Sequence, residues 1–216
     1  MKRSNGWECV LQSAECREVL KKVALRRKGE RVYPIQKDVF RAFDDCPFKK
    51  VRVVILGQDP YVNKGQAIGR AFAVSELSKK MPPSLKNIFE EVRRDYPSQP
   101  APEPTLEPWA RQGVFLLNTT LTVAHGRCNS HAKIGWKKAV TIPTLKKLSG
   151  EREHLVFMLW GAHAKSFERF LDQQRHYVLK AAHPSPLSVA QGFRGCGHFG
   201  KANKYLSEHG IVTISW

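Results

Sequence analysis

Acidic side chains are scarce in this chain: 19 Asp and Glu stand against 36 Lys and Arg in 216 residues, a formal net charge of +17. That excess is far beyond what solubility needs, and it makes a polyanion the natural partner. Cysteine is thin as well, five residues (Cys9, Cys16, Cys46, Cys128 and Cys196) with no C-x-x-C among them. An odd, scattered set gives neither a disulfide framework nor a zinc cluster, and it points to a reducing compartment. Cys196 and His198 stand close together, but two ligands do not make a metal site. No run approaches the roughly 18 apolar residues of a membrane span, and MKRSNGWECV lacks the apolar core of a signal peptide. The phosphate-binding pattern G-x-x-x-x-G-K-[ST] is missing, which disfavours a nucleotide-binding α/β protein. Repeats, low-complexity tracts and long linkers are missing too, so the chain reads as one domain, 1–216, with 42% hydrophobic residues to fill one core.

What is present is concentrated between Val51 and Val74, VRVVILGQDPYVNKGQAIGRAFAV. The β-branched run from Val51 to Leu56 reads as a strand buried on both faces, ending at Gly57. Gln58, Asp59, Pro60 and Tyr61 follow at the strand's carboxyl end, where open α/β sheets place ligands. Pro60 pushes Asp59 out of the helical region, and Gly65 and Gly69 let the next loop come close to a ligand before Phe72 closes the segment.

Three further apolar runs end in polar residues or glycine: VFLLN at Asn118, HLVFMLWG at Gly161, and HYVLKAAH at His183. Parallel strands put their carboxyl ends on one edge, so an acid, an amide and an imidazole should converge there. The expected fold is α/β, a central four-stranded, mainly parallel sheet flanked by helices. Helices are expected from Trp7 to about Lys28, over Ile35–Asp45 with Ile35 inward, after Pro82-Pro83 with Ser84 as N-cap, from Trp136 to Leu148, over AKSFERFLDQQ, and over GHFGKANKYLSEHGI. PSQPAPEPTLEPW should be a surface loop and VTISW a terminal strand. Between the prolines and serines of HPSPLS, Leu187 cannot easily reach a core, which makes it a candidate wedge for a base stack.

GQDPY from Gly57, GQAIGRAF ending at Phe72, PPSLKNIFEE from Pro82, LLNTTLTV from Leu116, NSHAKIGW from Asn129, LWG from Leu159 and HPSPLSVAQGFRGCGHF from His183 stand in register. Together they resemble the family 1 uracil-DNA glycosylases over about Trp7 to Trp216. The resemblance implies hydrolysis of the bond between uracil and deoxyribose in single- or double-stranded DNA, leaving an abasic site. It implies no metal and no cofactor, a monomer without membrane attachment, and a proteinaceous inhibitor as a further partner. A cytoplasmic location follows, or a nuclear one for a eukaryotic source.

By the same resemblance Asp59 and His183 are catalytic, the first supporting an oxocarbenium-like sugar and its attacking water, the second donating to uracil O2. Phe72 stacks on the base, Asn118 pairs with N3–H and O4, Tyr61 excludes a C5 methyl, and the backbone of Gln58 helps read the base. Pro82, Pro83, Ser84, Gly161, Ser185, Leu187 and Ser188 correspond to the loops that press on the DNA strand. Three positions depart from the family pattern: Val62 where His is usual, Ala162 where Ser is usual, and Gln191 where Arg is common. Each weakens the grip on DNA, at roughly 1 kcal/mol per lost hydrogen bond. A non-catalytic DNA-binding module would explain the charge and the departures but would leave Asp59 and His183 without purpose.

Overall fold

The computed structural model describes residues 5–78 and 80–216. Helices α1 (Glu8–Leu11) and α2 (Ala14–Gly29) replace the single helix expected at the start. The break lies at Ser13, whose hydroxyl accepts the Cys16 N–H at 3.1 Å and so caps α2. Strand β1 (Val32–Tyr33) follows and pairs antiparallel with the later β4 (Val123–Ala124). The Ile35–Asp45 helix is also split, into a 3-10 turn (Gln36–Asp38) and α3 (Arg41–Asp45), and Ile35 is 50% exposed rather than inward.

Strand β2 (Val53–Gly57) leads through the Asp59 loop to α4 (Pro83–Asp95). Pro82 occupies the cap position of α4 and Pro83 its first turn, so Ser84 is not the N-cap. The proline-rich loop ends earlier than expected because Glu107–Arg111 forms α5, ahead of β3 (Val114–Asn118). A π-helical turn (Lys137–Thr141) runs into α6 (Ile142–Glu151), then β5 (Val156–Trp160), α7 (Gly161–Lys165), β6 (Tyr177–Ala181) and α8 (His198–Glu208). The helix expected over AKSFERFLDQQ reduces to the end of α7 and a 3-10 turn at Glu168–Phe170.

Strands β3, β2, β5 and β6 form one sheet in that order, every pair parallel, with Gly57 opposite Asn118. Every residue of β2, β3 and β5 is buried, which is why these strands read as unbroken apolar runs. Their side chains alternate between two cores: Val54, Leu56, Phe115, Leu117 and Phe157 pack with Trp7, Phe43 and Trp136, while Val53, Ile55, Leu116, Met158 and Trp160 pack with Leu85, Ile88 and Phe199. No terminal strand forms. The tail is fixed by side-chain amides instead: Asn203 accepts the Ile214 N–H and Gln112 the Ser215 N–H, both at 2.8 Å, while Trp216 packs on Phe199 and Trp109. Among the described residues no helix is long and apolar enough to cross a membrane.

Candidate active site

The carboxyl edge of the sheet opens into a cleft of about 590 Å³. Gln58, Asp59 and Tyr61 enter it from the end of β2, Phe72 from the loop beyond, Asn118 from the end of β3 and His183 from just past β6. The two residues expected to be catalytic and the four expected to hold the base therefore share one concavity.

Gly57 makes the pairing of β2 with β3 usable. A Cβ there would lie 2.3 Å from Asn118 Oδ1 and 2.9 Å from the Ala71 Cβ, so only glycine leaves room for the amide to cross the strand end. Asn118 is 5% exposed, a polar group held where a ligand can meet it. The Gln58 carbonyl already accepts from the Thr119 hydroxyl and the Thr120 N–H, both at 2.9 Å. His163 Nε2 lies 2.7 Å from the same Thr119 hydroxyl. Since that hydroxyl donates to Gln58, the imidazole is the donor to it. Burial first, with Lys137 and His183 adding to it, lowers the His163 pKa and keeps its ring neutral.

Asp59 accepts the backbone N–H of Asn129 at 2.6 Å. Burial raises its pKa above the usual aspartate value, and the Asn129 N–H works against that shift. His183 accepts the Ser185 N–H at Nδ1, 3.0 Å away. Burial lowers the pKa of His183, so near neutrality the ring is uncharged and carries its one proton on Nε2. Gly161 allows this packing: its φ is +84° and a Cβ there would meet the His183 Cβ at 2.9 Å.

Phe72 has φ +63°, a left-handed backbone that bulky residues rarely adopt. Its carbonyl accepts from the Tyr61 hydroxyl at 3.0 Å, and its ring leans on Trp160 and His183 at centroid distances of 5.5 and 5.9 Å. Strain of this kind persists where surrounding contacts fix it, often at a ligand clamp. Burial raises the Tyr61 phenol pKa, so it stays protonated.

Of the residues expected on the DNA strand, Ser84, Ser185 and Leu187 line the cleft. Gly161 lines a smaller cavity of about 160 Å³ behind it, shared by Gln58, His163 and His183. Ser188 bonds the Ser185 hydroxyl at 3.0 Å and the His183 carbonyl at 2.9 Å. Pro82 and Pro83 begin α4 next to Ser84 and do not line the cleft. Leu187 is 90% exposed. Asn129, Thr119, His163 and Trp160 were not anticipated as supports; they arrive from a loop, two strand ends and helix α7, whose convergence only the folded chain reveals.

Gly195, Gly197 and Gly200 have the G-x-G-x-x-G spacing of a dinucleotide fingerprint, and Lys201-Ala202 completes a near miss to the G-x-x-x-x-G-K-[ST] pattern. Geometry removes both readings. The turn follows no strand directly, and Glu91 takes the N–H groups of Gly195 and Gly197. A carboxylate in that position repels phosphate. No group of three or more His, Cys, Asp or Glu side chains among the described residues could hold a metal ion.

Residues 43–207 match the family model described as the uracil DNA glycosylase superfamily. The uracil-DNA glycosylase of Proteus mirabilis is 47% identical over 201 residues, 92% of this chain and 88% of that protein. That of Porphyromonas gingivalis is 46% identical over 217 residues, covering 98% and 96%. The crystal structure of mimivirus uracil-DNA glycosylase superposes with a TM-score of 0.90 at 27% identity, over all of this chain and 87% of that one. A variant of the mimivirus protein, solved in complex with UGI, gives 0.89 over 97% and 85%.

Proposed function

We propose a residue-level mechanism for this chain, which belongs to the uracil DNA glycosylase superfamily and removes uracil from DNA as a repair glycosylase. A uracil inside a duplex is out of reach, so it leaves the stack and enters the cleft, at a cost of about a few kcal/mol that backbone and wedge contacts offset. Leu187, exposed at the rim, fills the space the base vacates. Ser84, Gly161, Ser185 and Ser188, with the Pro82-Pro83 turn, hold the strand on either side.

Within the cleft Phe72 stacks on the pyrimidine, and the Asn118 amide accepts from N3–H and donates to O4. Cytosine presents the reverse pattern at those atoms and would leave both groups of a buried amide unpaired. Tyr61 stands against C5 and excludes thymine. The Gln58 carbonyl is already committed, so its N–H is the backbone group left for the base.

As the C1′–N1 bond stretches, its electron pair goes to uracil and positive charge builds on the sugar. Asp59, ionised, stabilises that charge and orients the water whose oxygen bonds to C1′. The proton released by the water passes to Asp59 and on to solvent. His183 donates its Nε2–H to uracil O2 as negative charge gathers there, without giving up the proton. The observation carrying this account is the tautomer: Ser185 N–H on Nδ1 leaves a neutral ring with one donor, in the cleft that also holds Asp59.

Residues 1–216 act as one catalytic unit and as a monomer, in the reducing cytoplasm that five free thiols suit. Since the chain resembles a protein solved in complex with UGI, the same rim is the surface that a proteinaceous inhibitor would cover. Incubation with a uracil-containing oligonucleotide, followed by alkaline cleavage, tests the mechanism. Strand breaks should appear at uracil alone, in the presence of EDTA, and Asp59→Asn and His183→Ala should each fall by about a hundredfold or more. Full activity in either variant removes that residue from the mechanism.

A further inference from the structure

Along α4, Asn87, Glu91 and Asp95 follow one another at intervals of four and so share one stripe of the helix. Asn87 and Glu91 reach the segment that carries His183 and Leu187, and Asp95 reaches the first turn of α8, into which that segment runs. Asn87 Nδ2 donates to the Pro184 carbonyl at 2.7 Å. Glu91 accepts the N–H of Gly195 at 2.8 Å and of Gly197 at 3.0 Å, and Asp95 accepts the N–H of Gly200 at 2.9 Å. The opposite side of α4 is anchored in the core through Leu85, Ile88, Phe89 and Val92.

Glu91 is 1% exposed, and a carboxylate enters an interior only when donors compensate its lost hydration. The two glycine N–H groups do so, with Arg94 at 3.7 Å adding charge. Both glycines have left-handed φ, +78° at Gly195 and +62° at Gly197, which turns the N–H groups toward one acceptor. A turn of the kind that elsewhere holds a phosphate is thus used here to hold the protein's own helix.

The bonds from α4 fall on both sides of the wedge. Asn87 grips the Pro184–Ser185 peptide, whose N–H bonds His183 Nδ1, and Glu91 grips the limb that returns from Leu187. Between these points the loop stiffens itself: Ser188 and Val189 N–H groups bond the Ser185 carbonyl at 3.0 and 2.8 Å, and Phe193 packs edge-on against Trp160 at 5.1 Å. The other end of α4 is the Pro82–Ser84 turn.

We propose that α4 is a brace for catalysis, with Asn87 and Glu91 as positioning residues, Asn87 acting through His183 and Glu91 through Leu187. The helix sets the distance between the turn that presses on one side of the strand and the loop that carries imidazole and wedge. The inference rests on the roles assigned above to His183 and Leu187.

Two cycles of variants test it under single-turnover conditions, with thermal melting and active-site titration confirming that each protein is folded. Asn87 is only half-buried, so Asn87→Ala should fold; with single-stranded uracil DNA it should slow excision about five- to tenfold, as expected for one lost hydrogen bond to a positioned group. In the His183→Ala background the same change should have under about twofold effect, since coupled residues do not add. Glu91→Gln should lower excision from duplex more than from single strands, and that difference should vanish in the Leu187→Ala background. Equal effects in both backgrounds, or no effect in the parent, overturn the brace. Undiminished excision by His183→Ala or Leu187→Ala instead overturns the role given to that residue, and the brace acting through it falls as well.

Discussion

At the scale of single residues, the site depends as much on missing side chains as on present ones. Gly57 contributes nothing but space, and that space holds the Asn118 amide at the strand end. Gly57→Ala should therefore leave the fold intact by circular dichroism while cutting uracil excision by about a hundredfold, the penalty typical of an ångström-scale misplacement. Near-normal excision by that variant would mean that the Asn118 amide is not held by the close approach. Burial disfavours the charged form of both Asp59 and His183, raising the pKa of the acid and lowering that of the imidazole; it keeps the ring a neutral donor, while at Asp59 the Asn129 N–H works in favour of the anion.

At the scale of elements, the legible parts are those whose role is written in their own residues. VFLLN reads as a buried strand, and the strand spans Val114–Asn118. The polar residues at strand ends fell on one edge because parallel pairing forces them there. What stayed hidden was decided by partners distant in sequence. Apolar spacing runs through Ser13, so the cap there is masked. VTISW has a strand's composition, but the Ile214 and Ser215 N–H groups go to Asn203 and Gln112. Asp59 and His183 could be read from their places at strand ends, whereas the Asn129 N–H on Asp59 comes from a distant loop and the His163–Thr119–Gln58 chain from α7 meeting the ends of two strands. The partners of Asn87, Glu91 and Asp95 on α4 lie about a hundred residues further along the chain, so nothing in the helix's own sequence announces them.

For the whole molecule, the +17 charge and the burial of histidines set the response to conditions. His131, His163, His176, His183 and His198 all have pKa values lowered chiefly by burial, His198 to about 4. With the folded pKa below the unfolded value of 6.5, the unfolded chain takes up protons first as pH falls. Stability from these groups is complete above pH 6.5 and is lost below it, His198 alone accounting for roughly 3 kcal/mol by pH 4. Melting temperature should therefore be flat above neutrality and decline steadily from mildly acidic pH. A transition unchanged down to pH 4 would show that these rings are not held neutral by burial.

The mechanism requires an ionised Asp59 and an uncharged His183 in the same cleft, and the pH dependence of single-turnover excision at saturating enzyme reads both at once. Activity should rise as Asp59 ionises, reach its plateau by neutral pH and remain there through pH 8 to 9. A bell-shaped profile, with activity falling as pH rises through the ordinary histidine range near about 6.5, would mean that His183 works as an imidazolium and would contradict the account.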